Sequence, residues 1–406
     1  MNRKYLVILG DGMADRPLDS LDGMTPLMVA HKPNIDWLAS HGEMGLCHTI
    51  PDGMKPGSDV ANLSVIGYDP MVYYTGRSPL EAMSIGVDFS PIDVTYRCNL
   101  VTISSEPDIK DTTLVDYSAG EISTEEAESL IQSLKDAFDS DTLAFYRGVS
   151  YRHCLLLRKA KEGAILTPPH DITGKKVAEY LPEGTNSELL YGLMRKARAI
   201  LESHPVNKER VRLGKNPANC IWLWGEGRKP NLTEFAQKTG LKGAMISAVD
   251  LLKGIGKVSG MTVYDVEGAT GTIHTNFEGK ANACIDAFES GHDYVYMHLE
   301  APDECGHQGD MQGKIKSIEL IDDKIVAPIL KYLSSQPAPY TILVCPDHPT
   351  PISIRTHSAD AIPYIIYRSD AEVDTGLKYD EYSATSTLKV LPHGYDLIAN
   401  MLGEEV

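Results

Sequence analysis

The chain has 406 residues, of which 42% are hydrophobic, and a formal net charge of −18. This length predicts two domains, or one large domain with an insertion. The acidic surface argues against nucleic acid and membranes as partners, because their phosphates would be repelled. A protein this acidic can bind a phosphate ester only through local positive charge, supplied by metal ions or a few Arg and Lys side chains.

The cysteines and the first residues predict a compartment. Seven single cysteines, with no C-x-x-C pair, argue against a disulfide framework and are typical of a reducing environment. The apolar run Leu6–Leu9 is too short for a signal peptide, and no stretch of apolar residues is long enough to span a membrane. We therefore expect a cytoplasmic protein, and the sequence leaves its oligomeric state open.

Three short apolar runs end abruptly in acidic residues or histidine. They are residues 5–11, 294–303 and 341–348. Each is typical of a buried strand in a parallel sheet, which is apolar throughout because helices cover both faces. The predicted fold is therefore α/β, with a mostly parallel sheet and helices on both faces. Polar residues just past the carboxyl ends of such strands form the sites of open α/β sheets.

Helical patterns and punctuation predict the domain organisation. Ser123 and Glu126 form a capping box before an amphipathic helix, and residues 314–333 predict a second helix. Segment 91–265 has strand and helix signals of its own. We interpret it as an inserted, smaller α/β domain, which makes the sheet domain discontinuous, from 1–90 and 266–406.

Six side chains near the predicted strand ends are candidate metal ligands. They are Asp11, Asp303, His307, Asp347, His348 and His357. Asp303 and His307, four residues apart, can converge on one cation, whereas the adjacent side chains of Asp347 and His348 are expected to diverge toward two ions. Mixed carboxylate and imidazole ligands suit Mn²⁺, Zn²⁺ or Mg²⁺. Two such ions can clamp both oxygens of a phosphoryl displacement.

Each of these signals has a structural alternative. Asp11-Gly12 alone is more typical of a turn, and Asp347-His348 alone of a strand-end cap. The D-x-x-x-H spacing of Asp303 and His307 arises often by chance. Their joint occurrence at three strand ends favours a metal site over any of these separate explanations.

Ser58 is the candidate nucleophile. It follows Gly57 and precedes an apolar helical pattern, and the first turn of a helix favours a phosphate. The alternative is that the Ser58 side chain only caps the helix. The chain has no G-x-S-x-G motif, which disfavours acyl transfer, and no P-loop.

These residues occur in the order found in the alkaline phosphatase superfamily. More closely, the chain resembles the archaeal-type, cofactor-independent phosphoglycerate mutases over nearly its full length. The resemblance is carried by LGDGMADRP (9–17), GSDVANLSVIGYDP (57–70), YTGRSPLEA (74–82), WLWGEG (222–227) and DVEGATG (265–271).

This resemblance implies an alkaline-phosphatase-like sheet domain that holds two divalent ions, Mn²⁺ first with Mg²⁺ or Zn²⁺ as alternatives. It also implies an inserted domain that closes over a small phosphorylated metabolite. One ion would be held by Asp303, His307 and His357, and the other by Asp11, Ser58, Asp347 and His348. Ser58 would attack phosphorus and become phosphoserine.

Four basic residues are candidates for contacts with substrate anions. They are Arg77, Arg97, Arg152 and Lys253, and the alternative for each is a solvated surface charge. His153 and His170 could assist proton transfer, although a core or loop histidine is the commoner meaning of such residues. The sequence leaves their roles open.

One segment departs from the family pattern. The resemblance predicts an arginine-rich stretch, D-R-R-A-G-R, where this chain has DYSAGE from Asp116 to Glu121. Arginine forks bind carboxylate and phosphate well, so their loss favours a less anionic acceptor. A branch of the family has been proposed to act as homoserine kinase, and Asp116 and Glu121 could hold the ammonium of such an amino-alcohol acceptor. A non-catalytic, metal-stabilised binding protein is a third hypothesis.

Overall fold

The computed structural model describes residues 2–403. Two compact units divide the chain. The first is formed by the chain up to Tyr74 and from Leu232 onward, and the second by Thr75–Asn231.

Strands and helices alternate along much of the chain. The strands are β1 Lys4–Gly10, β2 Glu43–Cys47, β3 Val94–Ile103, β4 Leu114–Asp116, β5 Leu143–Tyr146, β6 Arg152–Leu157, β7 Ala164–Ile165, β8 Glu183–Gly184, β9 Cys220–Gly227, β10 Gly243–Ile246, β11 Thr262–Tyr264, β12 Tyr294–Leu299, β13 Tyr340–Cys345, β14 Ile362–Arg368 and β15 Val390–Leu391. The helices are α1 Pro26–Val29, α2 Pro33–Ser40, α3 Ser58–Val65, α4 Pro70–Tyr73, α5 Arg77–Ser84, α6 Thr124–Phe138, α7 Ser187–Ser203, α8 Pro205–Arg212, α9 Phe235–Thr239, α10 Asp250–Val258, α11 Phe277–Glu289, α12 Ala301–Gln308, α13 Met311–Ile321, α14 Ala327–Ser335, α15 Glu381–Ser386 and α16 Asp396–Leu402. The α/β class predicted from the sequence is confirmed.

The first unit is built on an eight-stranded sheet in the order β11-β10-β12-β1-β13-β14-β2-β15. The five strands from β11 to β13 run parallel, and β14 is antiparallel to both of its neighbours. All residues of β12 and β13 are buried, which requires cover on both faces of the sheet and explains their unbroken apolar sequences. The prediction of a mostly parallel sheet is confirmed.

The register of the central strands places their carboxyl ends at one level. In β1, Gly10 pairs with Leu299 of β12, and Leu9 pairs with Cys345 of β13. The segments that follow these strands therefore leave the same edge of the sheet side by side. This register brings together residues that are about 300 positions apart in the sequence.

The helix predicted over residues 314–333 is present with an irregular turn. Helices α13 and α14 are joined by a π-helical turn at Asp322–Val326. Within that turn the Asp322 carboxylate accepts a hydrogen bond of 2.7 Å from the backbone of Ile35. The turn thus satisfies a free backbone donor at the start of α2.

The second unit contains a five-stranded antiparallel sheet in the order β4-β3-β6-β5, with β9 paired to β3. The predicted capping box is present at the start of α6, where Ser123 and Glu126 bond each other's backbone. Apolar residues of α6, α7 and the sheet form the core of this unit.

The division between the units differs from the predicted boundaries of 91 and 265. Strand β10 pairs with β12, and β11 with β10, so residues 243–264 extend the sheet of the first unit. At the other end, α5 belongs to the second unit. Strand and helix patterns reveal an element but not the sheet it joins, because that choice depends on contacts distant in sequence.

No helix in residues 2–403 is long and apolar enough to cross a membrane. All seven cysteines are free thiols and buried.

Candidate functional site

Three buried carboxylates meet at the carboxyl edge of the first unit's sheet. Asp11 follows β1, Asp303 lies in the first turn of α12 after β12, and Asp347 follows β13. Their exposed fractions are 2%, 8% and 0%. Each takes part in one of two groups whose potential ligand atoms all lie within 4.8 Å of one another.

The first group consists of Asp11, Asp347 and His348. His348 Nε2 lies 3.4 Å from Asp347 Oδ2 and 3.8 Å from Asp11 Oδ1. The expectation that the side chains of Asp347 and His348 diverge toward two ions is therefore wrong. Beyond Cys345 the chain is no longer a strand, so the alternation of side chains that motivated the expectation does not hold.

The second group consists of Asp303, His348 and His357, and His307 lies against it. His307 Nε2 is 3.3 Å from Asp303 Oδ2, and His357 Nε2 is 3.5 Å from Asp303 Oδ1. The two Nε2 atoms of His307 and His357 are 2.9 Å apart. Asp303 and His307 converge because they lie one turn apart on the same side of α12.

Gly12 allows these segments to approach closely. Its φ is +61°, and a Cβ atom there would lie 2.7 Å from Asp303 Oδ1 and 2.8 Å from the Asp303 Cα. A side chain at this position would be strained and would push the carboxylates apart. The glycine after Asp11 therefore allows the segment that follows β1 to pack closely against α12.

Ser58 is the first residue of α3, at the helix start that the sequence predicts. The N-cap is Gly57 and the helix has no side-chain cap, so the alternative role of Ser58 as a cap is wrong. Instead, the Ser58 hydroxyl lies 3.2 Å from His348 Nε2. The candidate nucleophile therefore stands beside a residue common to both groups of potential ligands.

The carboxylates differ in their electrostatic surroundings. Burial, and then the charges of Asp347 and Asp303, raise the pKa of Asp11 well above its ordinary value. Burial also opposes ionisation of Asp303, but hydrogen bonds from His307 and His357 outweigh it and hold its pKa well below normal. In turn, the hydrogen bond with Asp303 raises the pKa of His307 to about 9.

This arrangement fits divalent cations. Asp11 Oδ1 is buried and has no hydrogen-bond partner, which is costly for a carboxylate oxygen unless a cation completes its surroundings. Within residues 2–403, the ion-pair partners of Asp11, Asp303 and Asp347 are all histidines. Carboxylate oxygens and imidazole nitrogens are suitable donors for Mn²⁺, Zn²⁺ or Mg²⁺.

Three further residues bond to members of these groups and a fourth supports one of the three, and none of them was found from the sequence. His298 Nε2 is 3.0 Å from Asp11 Oδ2, and the Asn62 amide donates to Asp347 Oδ2 over 2.8 Å. Tyr296 donates to Asn62 over 2.6 Å, and Thr350 donates to Asp303. The available signals were a histidine inside the apolar strand β12, and an asparagine one helical turn after Ser58.

In the second unit, three predicted arginines surround one carboxylate. Glu81 accepts a hydrogen bond of 2.8 Å from Arg77 Nε, and its other oxygen lies 2.7 Å from Arg97 Nε. Arg152 adds a third positive charge that acts on Glu81. These arginines come together because α5 packs on strands β3 and β6.

Aromatic rings line this arginine cluster. The Arg97 guanidinium lies over the Trp224 ring, 4.0 Å from its centroid, and Arg152 lies 5.5 Å from the Tyr151 centroid. Burial lowers the pKa of Arg97 to about 10 despite the opposing charge of Glu81, which leaves it charged at neutral pH. A fixed, flat guanidinium beside further arginines is suited to bind carboxylate or phosphate.

Two predicted substrate contacts lie elsewhere. Lys253 belongs to the first unit, where its ammonium is 2.6 Å from Asp265. Asp116 accepts bonds of 2.8 Å from the Ser118 backbone, 2.7 Å from the Gly120 backbone and 2.8 Å from the Asn216 amide. These three bonds occupy both oxygens of the Asp116 carboxylate and hold the loop that contains it. The carboxylate therefore has a structural role, which argues against the binding of a substrate ammonium group by Asp116.

The two histidines left open have different surroundings. His153 is 5% exposed, accepts a bond of 3.1 Å from the Gly148 backbone, and has a pKa lowered to about 3 by burial. His170 instead packs edge-on against Trp224, with 5.3 Å between ring centroids. His153 is therefore a core residue, and His170 borders the arginine cluster.

Comparison with known proteins identifies the relatives of the chain. A family model described as 2,3-bisphosphoglycerate-independent phosphoglycerate mutase matches residues 39–207. A protein of that name from Methanosarcina barkeri is 52% identical over 97% of this chain and 98% of its own length. Nothing in the comparisons supports the homoserine kinase alternative.

Solved structures show the same fold. The PH0037 protein from Pyrococcus horikoshii has a TM-score of 0.83 and 30% identity, and the match covers 100% of this chain and 99% of that one. The cofactor-independent phosphoglycerate mutase from Thermoplasma acidophilum has a TM-score of 0.67 and 28% identity, with 99% of each chain covered. The chain belongs to the 2,3-bisphosphoglycerate-independent phosphoglycerate mutase family.

Proposed function

We propose that this chain is a cytoplasmic, metal-dependent phosphoglycerate mutase that interconverts 2-phosphoglycerate and 3-phosphoglycerate through a phosphoserine at Ser58. The reaction class is supported by family membership at 52% identity over 97% of the chain. The observation that carries the chemistry is Asp11 Oδ1, a buried carboxylate oxygen without a hydrogen-bond partner, beside two further buried carboxylates and Ser58.

The residues proposed to hold two divalent ions, Mn²⁺ first among the candidates, divide into two sets. Asp303, His307 and His357 form one set, and Asp11, Ser58, Asp347 and His348 form the other. Bound there, the ions would lower the pKa of the serine hydroxyl and stabilise the negative charge of the phosphoryl oxygens during transfer.

Ser58 performs the covalent step. The Ser58 hydroxyl gives up its proton as its oxygen forms a bond to phosphorus, the bond from phosphorus to the substrate oxygen breaks, and the released glycerate oxygen takes up a proton. The other hydroxyl of glycerate then gives up its proton and attacks phosphorus, the bond from phosphorus to the Ser58 oxygen breaks, and that oxygen takes up a proton. Placement at the start of α3 favours this intermediate, because the positive end of the helix dipole stabilises an anionic phosphoryl group.

The arginine cluster of the second unit is the proposed recognition element for the anionic groups of phosphoglycerate. Arg77, Arg97 and Arg152 together carry more positive charge than Glu81 neutralises. The cluster thus provides the local positive charge that a protein with net charge −18 needs for such a substrate. In this proposal the cluster takes the role of the arginines that the family pattern has at positions 116–121 and this chain lacks.

A direct assay tests this function. The purified chain, loaded with Mn²⁺, is incubated with 3-phosphoglycerate and followed by ³¹P NMR for the appearance of 2-phosphoglycerate without added nucleotide. Ser58→Ala should abolish conversion. The matched control Ser133→Ala, on the exposed side of α6, should retain full activity. Exhaustive chelation should also abolish conversion, and returned Mn²⁺ should restore it.

The same preparation, given ATP and homoserine, separates the alternatives. ADP release that depends on homoserine, with no conversion of 3-phosphoglycerate, would replace the mutase with the kinase. Full mutase activity in Ser58→Ala, or after complete removal of metal, would contradict the proposed mechanism.

A further inference from the structure

Thr350 links the two groups of potential metal ligands. It is fully buried, and its hydroxyl donates a hydrogen bond to Asp303 Oδ1. The same oxygen lies 3.4 Å from His348 Nδ1. Asp303 belongs to the second group, and His348 belongs to both groups. The Thr350 hydroxyl therefore contacts potential ligands of both groups.

The hydrogen bond from Thr350 to Asp303 determines how Thr350 can bond with His348. A carboxylate can only accept, so the single proton of the Thr350 hydroxyl is used on Asp303. The hydroxyl oxygen then has only lone pairs to offer His348, which must carry its proton on Nδ1 to bond with it. A neutral imidazole protonated on Nδ1 has a free lone pair on Nε2.

That free lone pair faces the site. His348 Nε2 lies 3.2 Å from the Ser58 hydroxyl, 3.4 Å from Asp347 Oδ2 and 3.8 Å from Asp11 Oδ1. A ring nitrogen can bind a cation only where it carries no proton, so the choice of tautomer decides whether His348 can serve as a ligand through Nε2. With the proton on Nε2 instead, the ring could not bind a cation at that atom.

Thr350 is itself held firmly in place. Its carbonyl oxygen accepts a bond of 2.9 Å from the ammonium of Lys314, which is fully buried and lies 2.7 Å from Asp15 Oδ2. Proline precedes and follows Thr350, and a residue before proline is confined to extended conformations. The backbone of Thr350 is therefore held in place, and the bond to Asp303 sets the direction of its hydroxyl.

We propose that Thr350 is a positioning residue that holds His348 in the Nδ1–H tautomer, with the Nε2 lone pair directed at the cation site, while its hydroxyl orients Asp303. This inference rests on the proposed two-cation function, and it adds a residue that touches neither substrate nor the reacting oxygen. Such supporting hydrogen bonds typically change metal affinity by about 10- to 100-fold.

The tautomer can be read directly by NMR. In the metal-free protein labelled with ¹⁵N-histidine, the His348 signals, assigned by their loss in His348→Gln, should show protonated Nδ1 and unprotonated Nε2. Protonated Nε2 in the native protein would overturn the proposal. This measurement needs neither activity nor a Thr350 variant, so its outcome is independent of whether the chain is a mutase.

Metal affinity provides the second test. Calorimetric titration with Mn²⁺ should show binding weakened by about 10- to 100-fold in Thr350→Val, which removes the hydroxyl at constant shape. Thr350→Ser, which restores the hydroxyl, should stay within about threefold of the native affinity. The matched control Thr112→Val removes a buried hydroxyl from the second unit, 2.7 Å from the Ile109 carbonyl, and should bind Mn²⁺ normally.

Each outcome has one meaning. Native affinity in Thr350→Val would overturn the proposal, even if the mutase assay succeeded. If the valine variant does not fold, Thr350→Ser decides, because an affinity as low as that of an Asp303→Asn variant would also overturn it. A native chain that binds two Mn²⁺ but fails the mutase assay would contradict the proposed function and leave the role of Thr350 standing.

Discussion

The two units bury charge of opposite sign in different ways. In the first unit, the ion-pair partners of Asp11, Asp303 and Asp347 among residues 2–403 are all histidines. In the second unit, Glu81 neutralises part of the charge of Arg77 and Arg97. Three buried carboxylates paired only with histidines favour a bound cation, whereas a partly neutralised cluster of arginines favours a bound anion.

The largest effect is expected for Asp347→Asn. Loss of this carboxylate removes an anionic donor of the first group, so we expect both Mn²⁺ affinity and mutase activity to fall by about 100-fold or more. Titration with Mn²⁺ and the ³¹P assay measure the two. Asp370→Asn, at an exposed ion pair with Arg3, is the matched control and should change neither. A mild effect of Asp347→Asn would mean that the ligand assignment is wrong.

Arg97→Met tests the arginine cluster of the second unit as a site for the substrate anion. It removes the guanidinium over Trp224, so KM for phosphoglycerate should rise by about 10- to 100-fold, the value of a charge-assisted hydrogen bond. Mn²⁺ affinity should stay unchanged, because the cation ligands lie in the first unit. Arg212→Met, at an exposed pair with Glu209, serves as control. An unchanged KM would remove the cluster from substrate binding.

Glu81→Gln tests how far the Glu81 carboxylate neutralises the arginine cluster. The substitution leaves Arg77 and Arg97 without their shared carboxylate, and we expect the free energy of unfolding to fall by about 1–3 kcal/mol. Added sulfate should raise the Tm of the variant more than that of the native chain, because the anion replaces the lost charge. Equal responses to sulfate would show that the cluster does not bind anions.

The smallest effect concerns Glu381 in the first unit. Burial raises its pKa from 4.5 to about 7, although bonds from Thr25 and the Asp15 backbone oppose the shift. A carboxyl with a raised folded pKa stabilises the fold most below pH 4.5, and that stability is lost as pH rises through 7. Relative to the native chain, Glu381→Gln should therefore gain about 2–3 kcal/mol in unfolding free energy between pH 5 and pH 8.

Urea unfolding of both proteins at the two pH values measures this change. A constant difference between native and variant would show that Glu381 does not titrate in this range. The test uses the change in the free energy of unfolding with pH rather than its value at one pH. The glutamine side chain also alters the hydrogen bonds to Thr25 and the Asp15 backbone, and that effect is the same at both pH values.

Much of the candidate site followed from sequence order, because ligands placed directly after buried strands must meet when the strands are parallel. Ser58 was found through its helix start, and Asp303 and His307 through helical spacing. Thr350, Asn62 and His298 were missed because a supporting hydrogen bond leaves no periodic pattern. The predicted boundaries of 91 and 265 differ from the observed division for a similar reason, since pairing of β10 with β12 is a long-range contact.

By itself, the sequence determined the α/β class, the buried strands and the chemical character of the site, since hydrophobic periodicity and donor types are local properties. Only the tertiary structure decided that His348 is common to both groups, that Lys253 lies in the first unit, and that Glu81 gathers the arginines. Those outcomes depend on strand register and helix packing, which are set by the summed burial of the whole core rather than by any segment alone.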